Sequence, residues 1–210
     1  MLRDQPVDVE VSDSQTVFRG KVWDVQRETF TLPEAQRPMV RDFVRHTGAV
    51  AIAALDAHDR IFLIRQYRHP IRTRDWEIPA GLLDVDGEDP AAAARRELAE
   101  EADLRAADWH VLADYVSSPG GMDETLRIYL ARELSEVPDA ERFARADEES
   151  GIEPRWTPLA EAREAVIAGG IGNATTQLAV LHACAARERG WEDLRPADAP
   201  WPAREHLRGR

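Results

Sequence analysis

Apolar and polar positions alternate early in the chain. Val17, Phe18, Val22, Trp23 and Val25 recur between Thr16 and Phe30, which predicts a strand pair turning at Arg19-Gly20. Residues 1–15 are polar and read as loose. Met39 to His46 alternates again and predicts another strand. Gly48 to Leu55 is a continuous apolar run, the pattern of a strand buried on both faces. Asp56 to Asp59 is a turn, and Arg60 to Tyr67 is expected to return as the hairpin partner of that run. Trp76 to Pro79, Trp109 to Ser117, Thr125 to Ala131 and Arg155 to Thr157 read as further strands.

Helical signals fall between them. Asp89 followed by Pro90 is a helix start, with Asp as the cap and Pro at the first helical position. The helix is placed at 90–102. Two amphipathic helices, at 159–168 and 173–189, are separated by the Gly169-Gly170 stop. Residues 134–150 are acidic, Arg-rich and irregular, as for a loop. The tail after Gly190 is rich in Pro and Arg and is expected to be poorly ordered. The order of elements predicts an α/β fold, a sandwich with a mixed sheet. Residues 1–46 form a small N-terminal β-sheet arm, 47–189 the main domain and 190–210 a flexible tail.

The helix at 90–102 carries Glu97, Glu100 and Glu101 at spacings that place all three on one face. Each like-charge pair costs about 0.2–0.5 kcal/mol. Negative charge near a helix C-terminus is opposed by the macrodipole as well. Such a face is either solvated or built to meet a cation.

Composition narrows the choice. The 210 residues suit one domain with a small appendage, and the net charge of −12 argues against a nucleic-acid or anionic-membrane surface. An anionic small substrate stays open, because a divalent metal reverses the local sign. Hard cations want oxygen ligands, and no Cys/His cluster competes for a soft metal. The single cysteine, Cys184, rules out an intramolecular disulfide and reads as a buried small hydrophobe. The N-terminus has no apolar targeting segment, and no run reaches the roughly 18 residues of a membrane span. The chain is expected to be cytoplasmic.

Gly81, Glu88, Arg96-Glu97-Leu98, Glu100-Glu101 and Leu104 together resemble the Nudix box, G-x5-E-x7-R-E-U-x-E-E-x-G-U. The first gap is six residues here, through Gly87, and Asp103 replaces the final glycine. The extra residue falls before the helix. Asp tolerates positive φ better than most residues, so Asp103 implies a small stability cost and an intact site. RQYRHP (65–70), WEIPAGLLD (76–84) and SPGGMDE (118–124) resemble the ADP-ribose pyrophosphatase branch of the family, as do FRGKVWDV (18–25) and IGNATTQLAV (171–180).

The resemblance implies a Nudix-type fold and Mg²⁺- or Mn²⁺-dependent hydrolysis of the diphosphate of ADP-ribose to AMP and ribose 5-phosphate. It implies metal ligands at Glu97, Glu100, Glu101 and the Ala80 carbonyl. Arg96 is expected to orient these carboxylates, with Glu88 near it. Arg68 matches a diphosphate-contacting arginine. Trp23 or Phe18 is a candidate to stack on adenine, with Trp23 as sheet core the alternative. Pro119 and Gly120 form a rigid turn, and Glu124 is a candidate contact to ribose or the metal-water network. The general base is expected in the loop ADEESGIE, at Glu149 or Glu148. A homodimer is implied. The rival readings are a hydrolase of another nucleoside diphosphate sugar, such as GDP-mannose, and a non-catalytic ADP-ribose sensor.

Overall fold

The computed structural model describes residues 2–143 and 151–208, which divide into two compact units. The first gathers the described residues up to Gly48, Val116–Thr125 and those from Pro200 onward; the second gathers Ala49–Tyr115 and the described part of Leu126–Ala199.

The first unit is built on an antiparallel sheet of β1 (Glu10–Arg19), β2 (Asp24–Thr31) and β3 (Met39–Arg45), in that order. The turn between β1 and β2 closes with Gly20 N–H donating to the Trp23 carbonyl at 3.1 Å. A Cβ on Gly20 would lie 2.2 Å from that oxygen, so the turn requires glycine. β1 begins at Glu10, six residues earlier than the apolar alternation indicates. A polar ladder extends it. Gln26 is buried, donates to Ser14 Oγ at 2.8 Å and accepts from Thr16 Oγ1 at 3.0 Å. Hydropathy does not register such pairs. The segment 118–123 adds to β3, where Val44 N–H donates to the Gly121 carbonyl at 2.9 Å.

The second unit holds two sheets. The strands are β4 (Ala49–Ala54), β5 (Arg60–Arg68), β6 (Thr73–Glu77), β7 (Ala80–Leu82), β8 (Leu104–Val116), β9 (Thr125–Glu136), β10 (Glu153–Pro158) and β11 (Arg195–Pro196). The helices are α1 (Pro90–Ala102), α2 (Leu159–Ile167) and α3 (Ala174–Glu188). One sheet has the order β10-β5-β6 and is antiparallel; the other, β11-β8-β9-β4-β7, is mixed, with β4 parallel to β9 and antiparallel to β7. α1 packs on β4 and β7, while α3 packs on β4 and β6. Every residue of β4 is therefore buried, as its unbroken apolar run predicts.

The expected hairpin between β4 and β5 is corrected. Only the single bridge Leu55–Ile61 joins them. Both edges of β4 are taken by β7 and β9, so β5 crosses to the other sheet after the turn at Asp56–Asp59. The expected end of β9 at Ala131 is also short, for the strand continues to Glu136 and removes three residues from the expected loop.

The tail has regular structure where disorder was expected. β11 pairs with β8 in the second unit, and Arg195 reaches Asp114 at 2.7 Å. In the first unit, α4 spans Pro202–Arg208 and Trp201 before it is buried. Trp201 N–H donates to the Glu205 carboxylate at 3.1 Å, and Glu205 N–H returns to the Trp201 carbonyl at 3.0 Å. The Glu205 side chain thus satisfies a backbone donor at a helix start opened by proline. Among the described residues, no helix is long and apolar enough to cross a membrane.

Candidate active site

α1 starts where its sequence indicates. The Asp89 carboxylate accepts from Ala91 N–H and Ala92 N–H, both at 3.0 Å, with Pro90 at the first position. The helix ends at Asp103, which adopts the left-handed conformation at φ 55° and donates its N–H to the Leu98 carbonyl. Asp thus occupies the conformation that glycine usually takes at this place. Ala91, Ala94, Leu98 and Ala102 face the core, which turns the carboxylates toward the β7 side.

Glu101 is buried, and its Oε2 accepts Ala80 N–H at 2.9 Å. This bond ties the helix to the first residue of β7. Gly81 follows. A Cβ there would lie 2.0 Å from Cδ of Glu97. Only glycine lets the Glu97 carboxylate pass so close to the strand, which gives the first residue of the motif a steric reason.

Arg96 sits among three carboxylates. Its guanidinium contacts Glu88 at 3.1 Å and 3.2 Å, Glu97 at 2.6 Å and Glu100 at 3.2 Å. The hydrogen bond to Glu88 and the charge of Glu97 hold Arg96 more firmly protonated than an ordinary arginine, against the opposing effect of burial. The like-charge cost on the helix face is thereby offset by one cation, and Arg96 sets the carboxylates' spacing.

On the other sheet of the same unit, Arg68 makes a bidentate pair with Glu77 at 2.8 Å and 2.7 Å. Glu77 is buried and Arg68 is partly exposed. Glu77 was not singled out from the sequence. The available signal was a lone acid in the apolar stretch WEIP, close to an arginine in RQYR. Glu153, the third glutamate of the ADEESGIE stretch, pairs with Arg65 at 2.5 Å and Arg74 at 3.2 Å on the sheet edge. Glu148 and Glu149 lie outside the described residues.

The remaining candidates belong to the first unit. Phe18 and Trp23 are exposed, so Trp23 is not the core of the small sheet. The Trp23 ring lies 5.2 Å from that of His46. His46 Nδ1 accepts Gly48 N–H at 3.0 Å, which places the ring proton of the neutral form on Nε2, 3.2 Å from Glu124. Ser117 Oγ donates to the other Glu124 oxygen. Glu124 is thus held from two sides. Pro119 and Gly120 form the turn that Gly121 N–H closes onto the Ser118 carbonyl at 2.9 Å.

Residues 44–176 match the NUDIX domain family. The chain belongs to the Nudix family. It is 41% identical over 92% of its length to the ADP-ribose pyrophosphatase of Mycobacterium tuberculosis, covering 91% of that protein. It is 33% identical over 80% of its length to the ADP-ribose pyrophosphatase of Bacillus subtilis, covering 88% of that one. The crystal structure of an ADP compounds hydrolase superposes with a TM-score of 0.72 at 21% identity, covering 90% of this chain and 99% of that one. At that identity the likeness speaks for the fold.

Nudix hydrolases generally use a divalent metal. The side chains here suit a hard cation, since the donors are carboxylates and a backbone carbonyl. The Gly81 cradle brings Glu97 against β7, and Ala80 N–H fixes Glu101 beside the same strand. Among the described residues, no three acidic, His or Cys side chains converge on one point. Arg96 holds one oxygen of Glu97 and one of Glu100.

Proposed function

We propose that this Nudix hydrolase splits ADP-ribose into AMP and ribose 5-phosphate, using Mg²⁺ or Mn²⁺. Water adds to one phosphorus, the bridging P–O bond breaks, and the departing phosphate takes the bridging oxygen. The observation that carries the reading is the carboxylate face of α1 tied to β7 through Glu101 and Gly81. The choice of ADP-ribose rests on similarity to two ADP-ribose pyrophosphatases across most of the chain.

Glu97, Glu100, Glu101 and the Ala80 carbonyl would hold the metal. When bound, a divalent cation neutralises diphosphate charge and lowers the pKa of the attacking water. Arg96 orients the carboxylates through its ion pairs. Glu77 fixes the plane of Arg68 so that the guanidinium meets a phosphate in a preset orientation. Glu149 or Glu148 takes the proton of the water. Trp23 or Phe18, with Glu124 and the Pro119-Gly120 turn, belongs to recognition of the nucleoside. A cytoplasmic homodimer completes the reading.

The test is incubation with ADP-ribose and Mg²⁺ followed by chromatography of the products. AMP and ribose 5-phosphate are expected. Glu101→Gln is expected to lower kcat by more than the roughly 10–100-fold typical of a group one step removed from a metal. Turnover of GDP-mannose in preference to ADP-ribose would move the substrate. Full activity of Glu101→Gln would remove the metal role from α1.

A further inference from the structure

The first unit contains a cavity of about 480 Å³ that the proposed hydrolysis does not use. Its volume falls within the range of about 300–1,000 Å³ common to small-molecule sites. In a chain of net charge −12, its lining is cationic: Lys21, Arg45, Arg204 and Arg208 stand against Asp24 and Asp123. Both acids have partners. Asp24 lies 3.5 Å from Arg19, and Asp123 accepts His46 N–H at 2.7 Å. Lys21, the only lysine of the chain, is carried there by the Gly20 turn.

The backbone is shaped to admit the arginines. Arg204 and Arg208, one helical turn apart on α4, both donate to the Thr47 carbonyl. Gly48 beside it has φ +83°, and a Cβ there would lie 2.8 Å from Arg204 Nη1. A side chain at position 48 would therefore crowd the guanidinium.

The lining also selects against a nucleobase. Its one ring is His46, whose two nitrogens serve Gly48 and Glu124 and whose face lies against Trp23. A cavity with cations, Thr47 and Thr125 hydroxyls and no available aromatic face suits a phosphate on a hydroxylated carbon skeleton. The geometry points to a second ligand site, in which Lys21, Arg45, Arg204 and Arg208 bind the phosphate of a small phosphorylated sugar.

Isothermal titration of the full chain in EDTA tests this, with ribose 5-phosphate and inorganic phosphate as separate probes. Saturable binding of ribose 5-phosphate is expected, weakening as salt rises. Stronger binding of ribose 5-phosphate than of inorganic phosphate supports the sugar contacts. Equal binding overturns the sugar part and leaves a phosphate site. Lys21 and Arg45 are exposed, so the double variant Lys21→Ala/Arg45→Ala leaves the buried side chains in place; circular dichroism verifies its fold. It is expected to bind about tenfold more weakly or worse. Arg45→Lys, which keeps the charge, is expected to retain binding. Glu101→Gln is expected to bind as the parent does. No saturable binding, undiminished binding by the double variant, or loss of binding in Glu101→Gln would overturn the proposal. None of these outcomes depends on whether ADP-ribose is hydrolysed.

Discussion

Helices α1 and α4 both open at a proline, and they are held by different means. α1 is capped at each end by its own flanking residues, Asp89 and Asp103, and buries five apolar side chains of its own. α4 has seven residues and buries none of them. Its hold comes from Trp201 just outside the helix, from Glu205 reaching back to Trp201, and from two arginines on a carbonyl at position 47. A helix with a strong local code tolerates the strain of an acidic face. A helix without one depends on its anchors.

The largest expected effect follows at the anchor. Trp201→Ala removes a buried indole and is expected to cost about 3–5 kcal/mol of stability in urea denaturation. Arg204 lies over the Trp201 ring, 5.5 Å from its centroid, so the variant is also expected to loosen α4. A cost below about 1 kcal/mol would mean that α4 does not rest on Trp201.

On the α1 side, Gly81→Ala is next. The added Cβ has no room beside Glu97, so the strand or the carboxylate must move. A loss of about 1–3 kcal/mol is expected, together with reduced hydrolysis. Normal stability with reduced activity would show that Glu97 yields and the backbone does not. Asp103→Val tests the cap. A β-branched residue at φ 55° is expected to cost about 1–2 kcal/mol, measured by thermal or urea melts. An unchanged melt would show that packing, not the cap, ends α1.

The contrast also explains what the sequence made readable. The span of α1, its two caps and the grouping of Glu97, Glu100 and Glu101 follow from spacings of a few residues, and such spacings become geometry without further information. The pairing of Arg96 with Glu88 spans only eight positions. Pairings across the chain were not readable in the same way. β4 joins β9 some seventy-five residues later, and β5 leaves its neighbour for β10. Such choices depend on which edges are already taken. The Arg68–Glu77 pair fell between these cases: both residues were visible, but the turn that joins them was not. The first part of β1, residues 10–15, and all of α4 were missed because polar ladders and a single buried indole leave little trace in apolar periodicity.

The smallest expected effect concerns a turn whose signal is as local as that of α1. The Asp56 carboxylate accepts His58 N–H and Arg60 N–H, both at 2.9 Å, and the Arg60 guanidinium at 2.6 Å. Burial alone would raise its pKa, but the Arg60 backbone bond, the Arg60 side chain and the His58 bond together bring it below the ordinary aspartate value. A depressed carboxylate adds stability above its unfolded pKa and loses it as pH falls through the folded one. Asp56→Asn is therefore expected to cost about 0.5–1.5 kcal/mol at neutral pH. The two proteins should converge in urea stability once the solution is more acidic than the folded pKa of Asp56. A gap that stays constant into acid would assign the effect to the shape of the turn and remove the charge of Asp56 from its stability.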